Sequence, residues 1–404
     1  MMLKKLTIVC LINFLIAALM GLALRYSFIG DIHVNYRFLT HAHSHVAMLG
    51  WVYLMLYALL VYYFIPVKHQ VFNFLFWLTE ISVIGMMISF PIQGYATISI
   101  TFSTLHIFCS YYFVYLIWRH HKTKSTATSR LLKTSLLFML MSTLGVWCLG
   151  PAVSMLGQAS AFYQIAIQFF LHFQFNGWFL IAVIAVFFHF LNIPDSKLFR
   201  AFFALLILST LLTLALPVQW HAPHVVLLWI NGFGVFLQVF VLFLFFKLIK
   251  PKLQWLKLKQ SKLVFYTYGF ALLCFSLKIG LQSLSVFPEF AAVVYKHHNF
   301  VVGFIHLVML GVISGFLFSF ILQSQLVQYT KSLYIGIYIF IIGFLLTELL
   351  LVIQGAKFYF GYGILSQYYL LLFLFSILLP LGIAFLLFNI ITCKNHATET
   401  TKTT

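Results

Sequence analysis

The chain has 404 residues; 63% are hydrophobic, 7% are charged, and Phe alone occurs 48 times. Soluble domains carry about 25% charged residues, so this composition excludes a soluble enzyme, a disordered chain and a disulfide scaffold. It leaves an all-α polytopic membrane protein. The net charge of +18 does not indicate nucleic acid, because the 24 basic residues sit in short clusters between apolar runs, as topogenic charge facing anionic membrane lipid does.

Apolar stretches follow one another at about 5–25, 43–65, 72–94, 98–118, 133–155, 160–189, 199–217, 223–247, 263–285, 300–325, 333–354 and 366–391. Most are long enough to cross a hydrocarbon core of about 30 Å as a helix. The first run is followed by Arg25 rather than a small-residue cleavage site, so it reads as a retained span. With the N-terminus inside, every basic residue except Arg25, Arg37, Lys278, Lys296 and Lys357 falls on the inner side. That asymmetry predicts twelve transmembrane helices with both termini cytoplasmic. The segments 119–132 and 248–262 read as the longest loops, basic and lying on the inner membrane surface, and "GPAVSMLG" at 150–157 reads as a break in the fifth helix. The five cysteines lack CxxC spacing and imply neither a disulfide framework nor a cysteine metal site.

Histidine is the unusual residue inside these spans. His69, His120, His121 and His396 accompany basic segments, and His189 ends the sixth span. The second span opens with "LTHAHSHVAMLGW", where His41 and His45 share a face and His43 points elsewhere. The fourth span holds His106, the sixth His172, the eighth opens with His221 and His224, and the tenth holds His306 below His297 and His298. On this reading all belong to even-numbered helices. His45, His172 and His306 are each followed five residues later by a glycine, Gly50, Gly177 and Gly311, four spans apart each time. The chain therefore reads as one integral membrane domain, 1–404, made of three four-helix units, about 1–125, 126–260 and 261–404, around a pseudo-threefold axis. Ionisable groups at membrane depth mark functional sites by default. Imidazoles from facing helices can clamp a haem iron, and three can hold copper. For any single histidine, hydrogen bonding between helices is an equally good explanation.

Twelve helices in three units, with histidines in the second, sixth and tenth, resemble the catalytic subunit of the haem–copper oxidases. The strings around His45, His172 and His306 look like a divergent bacterial oxidase-subunit-one-like group, and the architecture is also similar to the haem- and copper-containing NnrS family. The resemblance implies a bacterial inner-membrane redox protein with b-type haem, and copper as a second metal. It implies a quinol or small cytochrome as electron donor, and oxygen or nitric oxide as substrate. Carried over by position, His45, or His41 one turn outward, ligates haem with His306, and His172 ligates copper. His106, His221 and His224 are further candidate metal ligands, and Arg37 is the candidate partner for haem propionates. The family's seventh-helix histidine pair has no counterpart at 199–217, nor is a second tenth-helix histidine present at depth. One haem, held by His45 and His306, is the leading expectation.

Glu80, Lys278 and Glu348 lie within odd-numbered spans, as a proton route, as mutual partners or as structural groups. Gln174 and Asn176 flank His172 as hydrogen-bonding partners of its ring or as contacts between helices. Two alternatives stand beside the redox reading: a noncatalytic haem or metal sensor or assembly protein, and a proton-coupled secondary transporter.

Overall fold

The computed structural model describes residues 2–67, 69–324 and 326–393. Lys68, Lys394, Lys402 and His396, assigned above to the basic inner side, lie outside the described residues. Among the described residues twelve helices are long and apolar enough to cross a membrane: α1 Leu3–Tyr26, α2 Tyr36–Phe64, α3 Gln70–Gln93, α4 Thr97–His120, α5 Thr126–Leu156, α6 Ala161–Leu191, α7 Lys197–His221, α8 Val225–Lys259, α9 Lys262–Val286, α10 His298–Gln323, α11 Lys331–Tyr359 and α12 Tyr368–Thr392. No strand occurs among the described residues, so the protein is an all-α, multi-pass membrane protein. Helices are what lipid requires, since each satisfies its own backbone polar groups. Their first turns are closed by polar caps: Asn35, Ser160, Ser196, Ser261 and Thr330 each accept a backbone N–H three residues on.

Several boundaries differ from the sequence expectation. The segment 248–259 is helix rather than loop, because α8 runs to Lys259 through Pro251. The other expected long loop shrinks to 121–125. Pro151 does not break α5, which continues to Leu156. The seventh span also extends past 217, so His221 ends α7 instead of opening α8, and the histidines are not confined to even-numbered helices.

α2, α6 and α10 are the most buried of the twelve. They meet at the core through Tyr53–Trp178 at 6.2 Å, Tyr63–Phe190 at 4.9 Å and Phe190–Phe320 at 5.5 Å between ring centroids. Trp51 Nε1 donates to Ser314 Oγ at 2.9 Å, tying α2 to α10. Around this core, α1 packs on α2 and α12, α5 on α6, α9 on α8 and α10, and α11 on α10 and α12.

Each central helix changes winding at its histidine. His45 is followed by a π-helical segment, Val46–Tyr53; His172 by Phe173–Phe179; His306 by Leu307–Ile313. A wider turn displaces carbonyls from their usual partners, and side chains take them up. Asn13 Nδ2 donates to the Gly50 carbonyl at 3.1 Å, and Ser314 Oγ donates to the Met309 carbonyl at 2.7 Å. The glycines within these segments are points of close approach. A Cβ on Gly50 would meet Val83 Cγ1 at 2.9 Å, on Gly177 it would meet Phe138 Cβ at 2.7 Å, and on Gly311 Cys274 Sγ at 2.8 Å. The three HisxxxxGly strings thus share one local conformation and one packing role.

Candidate functional site

From their π segments onward the central helices are almost wholly sealed. Before them, in 36–45, 161–171 and 298–306, most residues keep some accessible surface. The three histidines stand at the floor of this more open half. The same end of the bundle carries the 27–35 and 157–160 turns, and most lysines lie at the opposite end.

α2 presents different histidines to its two sides, because residues two apart on a helix point in nearly opposite directions. On one side His41 and His45 face α3 and the α3–α4 turn. His45 Nδ1 lies 2.8 Å from the His41 carbonyl, and its Nε2 lies 3.3 Å from the Tyr95 hydroxyl. Phe90 covers the His45 ring at 4.4 Å, and Tyr95 meets the His41 ring edge-on at 4.6 Å. Gly94 makes this turn with φ +60°, and a Cβ there would collide with the Phe38 ring. His106 is within Coulombic range of His45, buried, edge-on to Tyr53 at 4.6 Å, and its Nε2 has no hydrogen-bond partner.

On the other side, His43 faces α1. Its Nδ1 lies 2.8 Å from the Ala17 carbonyl, and its ring occupies the space a Cβ on Gly21 would enter. His43 is within Coulombic range of His306 and of Arg25, and Arg25 is within Coulombic range of His306 and Glu348. His306 Nδ1 stands 3.6 Å from Glu348 Oε1; both side chains keep some accessible surface, 23% and 16%. Neither His43 nor His306 has a protein partner for Nε2 among the described residues.

His306 is within Coulombic range of His43, whereas the His45 ring turns to the opposite face of α2, against Phe90 and Tyr95. The cation at the cluster is Arg25, at the last turn of α1, rather than Arg37. Arg37 is exposed, and its guanidinium donates to Gln158 Oε1 at 3.4 Å. The identical chemistry of three neighbouring histidines hid the first point. A lone arginine ending an apolar span was the available signal for the second.

The other candidates are dispersed. His172 Nε2 lies 2.8 Å from the Thr210 carbonyl, so that nitrogen is occupied as a donor. His221 contacts Tyr295 edge-on at 5.6 Å, and His224 caps α8. His297 stacks on Phe358. Gln174 accepts from Ser142 Oγ at 3.0 Å on α5 rather than serving the His172 ring, while Asn176 Nδ2 reaches the His172 carbonyl at 3.3 Å. Among the described residues no group of three or more His, Cys, Asp or Glu is placed to hold a metal ion. The buried charges do not partner one another: Glu80 Oε2 accepts from Asn13 Nδ2 at 2.8 Å, Glu348 faces His306, and Lys278 is buried within Coulombic range of His172. Comparison with protein-family models and with curated proteins found no match.

Proposed function

We propose that this chain is a haem-binding membrane redox protein with the plan of the oxidase catalytic subunit, handling electrons and oxygen or nitric oxide. One observation carries the reading. His43 and His306 come from two central helices and lie within Coulombic range of each other, each with Nδ1 facing a protein acceptor and Nε2 without one. These two imidazoles would hold a haem: a proton kept on Nδ1 would leave each Nε2 lone pair for iron. Arg25 supplies a cation suited to a propionate. When bound, a b-type haem supplies one-electron chemistry. The chain's part is to present two oriented imidazoles above a sealed, apolar core that keeps bulk water out. A quinol or small cytochrome is the donor consistent with such a site. The lysine-rich end faces the cytoplasm of a bacterial inner membrane on this reading.

Copper fits less well. His172, His106, His221 and His224 each have separate surroundings, and the Nε2 of His172 is spent on Thr210. This dispersal favours a second reading, a haem sensor or assembly protein without a second metal. The experiment is a reduced-minus-oxidised visible spectrum of the full chain purified in detergent, with metal analysis. A haem α band lost in His43→Ala and in His306→Ala, and kept in His45→Ala, supports the assignment. A folded, pure protein without haem defeats it. Haem at one equivalent with no turnover of oxygen or nitric oxide selects the sensor reading.

A further inference from the structure

Lys278 is 2% exposed within α9, and no hydrogen bond or ion pair reaches its amine among the described residues. Every acid among those residues is placed elsewhere. Asp31 lies beside His33, Glu80 accepts from Asn13, Asp195 pairs with Arg130 and Arg200, Glu348 faces His306, and Glu289 is exposed on the 288–296 helix. An ammonium without a counter-charge is disfavoured in an apolar interior, whereas one paired with an anion is not.

The register of α8 on α9 fixes what stands beside the amine. The two helices run antiparallel, with Asn231 Nδ2 donating to Ser285 Oγ at 3.0 Å and the Phe245 and Phe275 rings 5.3 Å apart. Asn231, Gln238 and Phe245 are seven apart and share one face of α8; Lys278 and Ser285, and likewise Phe275 and Gln282, are seven apart on α9. Gln238 therefore stands level with Lys278 and Gln282, midway between the two contacts. Gln238 is buried, and the Oε1 atoms of Gln238 and Gln282 have no hydrogen-bond partner. An amine and two amides thus meet at one level without bonding to one another, which is costly unless a bound species bridges them.

We infer that this level binds a small monovalent anion together with a proton. Lys278 supplies the ammonium, and Gln238 and Gln282 turn amide N–H groups toward the ion. Neutral amine, proton and anion combine into an ion pair of no net charge, so proton and anion enter together. The single amine sets the ligand's charge, and two helices in contact leave room for chloride or an ion little larger. Access is from the open half, because Gln282, one turn nearer the end of α9, keeps accessible surface. The titratable groups near the amine are His172 on α6, within Coulombic range, and Cys274 one turn back on α9; the faces of α8 and of the α10 π segment that pack on α9 carry none.

The test is thermal unfolding of the full chain in detergent, titrated with sodium chloride or sodium formate at an ionic strength held constant with sodium gluconate. Calorimetry of the same additions, in buffers of different ionisation enthalpy, counts the protons. Wild type is stabilised saturably, takes up a proton with the anion, and binds up to about tenfold less tightly for each unit rise in pH. Lys278→Met abolishes both binding and proton uptake. Lys278→Arg, whose guanidinium does not deprotonate, keeps the binding and loses its pH dependence. Gln238→Leu weakens binding and leaves the proton count unchanged. No saturable effect in wild type, binding without proton uptake, or the same binding in Lys278→Met overturns the proposal. If the methionine variant does not accumulate, an unchanged pH dependence in Lys278→Arg overturns it instead.

Discussion

Asn13 is a single amide in the middle of an apolar helix, and its Nδ2 group serves two acceptors, the Gly50 carbonyl and Glu80 Oε2. A buried acceptor that loses its partner costs about 1–3 kcal/mol, and replacing Asn13 removes the partner of two. Asn13→Leu is therefore predicted to destabilise the protein by about 1.5–3 kcal/mol, read as a lower midpoint of thermal unfolding in detergent. Glu80→Gln, which retains an acceptor oxygen, loses much less. Equal losses in the two variants would show that the contact contributes nothing specific. Helical spacing already separated His43 from His41 and His45. It could not say which side of α2 meets α10, because that depends on the packing of helices distant in sequence. Asn13 was legible only as an isolated polar residue, with no partner implied.

At the scale of single elements, the π segments carry most of the local specificity. Each widens the turn immediately after a histidine and sets a glycine against a neighbouring helix. The five-residue spacing from His to Gly was their trace in the sequence, yet hydropathy cannot distinguish a π turn from an α turn, since both bury nearly every residue here. Gly311→Ala would drive a methyl group onto Cys274 Sγ and Phe344 Cζ, at 2.8 and 2.9 Å. Overpacking of this kind costs roughly 1–3 kcal/mol. Gly269→Ala on α9 meets open space, and removing a helical glycine there stabilises by roughly 0.5–1 kcal/mol. Opposite shifts in melting temperature check the pair; matching shifts would remove the packing argument for Gly311.

The whole molecule was the most legible level, because a hydrocarbon layer demands long apolar helices and the chain's few charges mark where they end. Twelve spans follow from hydropathy alone, with errors where a helix continues past the lipid, as α8 does to Lys259. Orientation rests on the basic clusters: Lys122, Lys124 and Arg130 are predicted to face the cytoplasm, and the 27–35 turn the opposite side. With the native cysteines replaced by alanine, His33→Cys should react with a membrane-impermeant maleimide on intact cells and Thr123→Cys should react only after lysis. The reverse pattern would invert the topology.

The contact between the first and last spans has a consequence for biogenesis. α1 packs on α12, Lys4 Nζ donates to the Cys393 carbonyl, and Phe14 of α1 lies 4.6 Å from Trp51, 6.1 Å from Phe318 and 6.0 Å from Phe340. α1 therefore completes its surroundings only after α10, α11 and α12 have been delivered. Until then its polar groups, Asn13 and Arg25 among them, lack part of their native environment. In a chain stalled before α10, Arg25 would lack Glu348 and Tyr368, and His43 would lack His306.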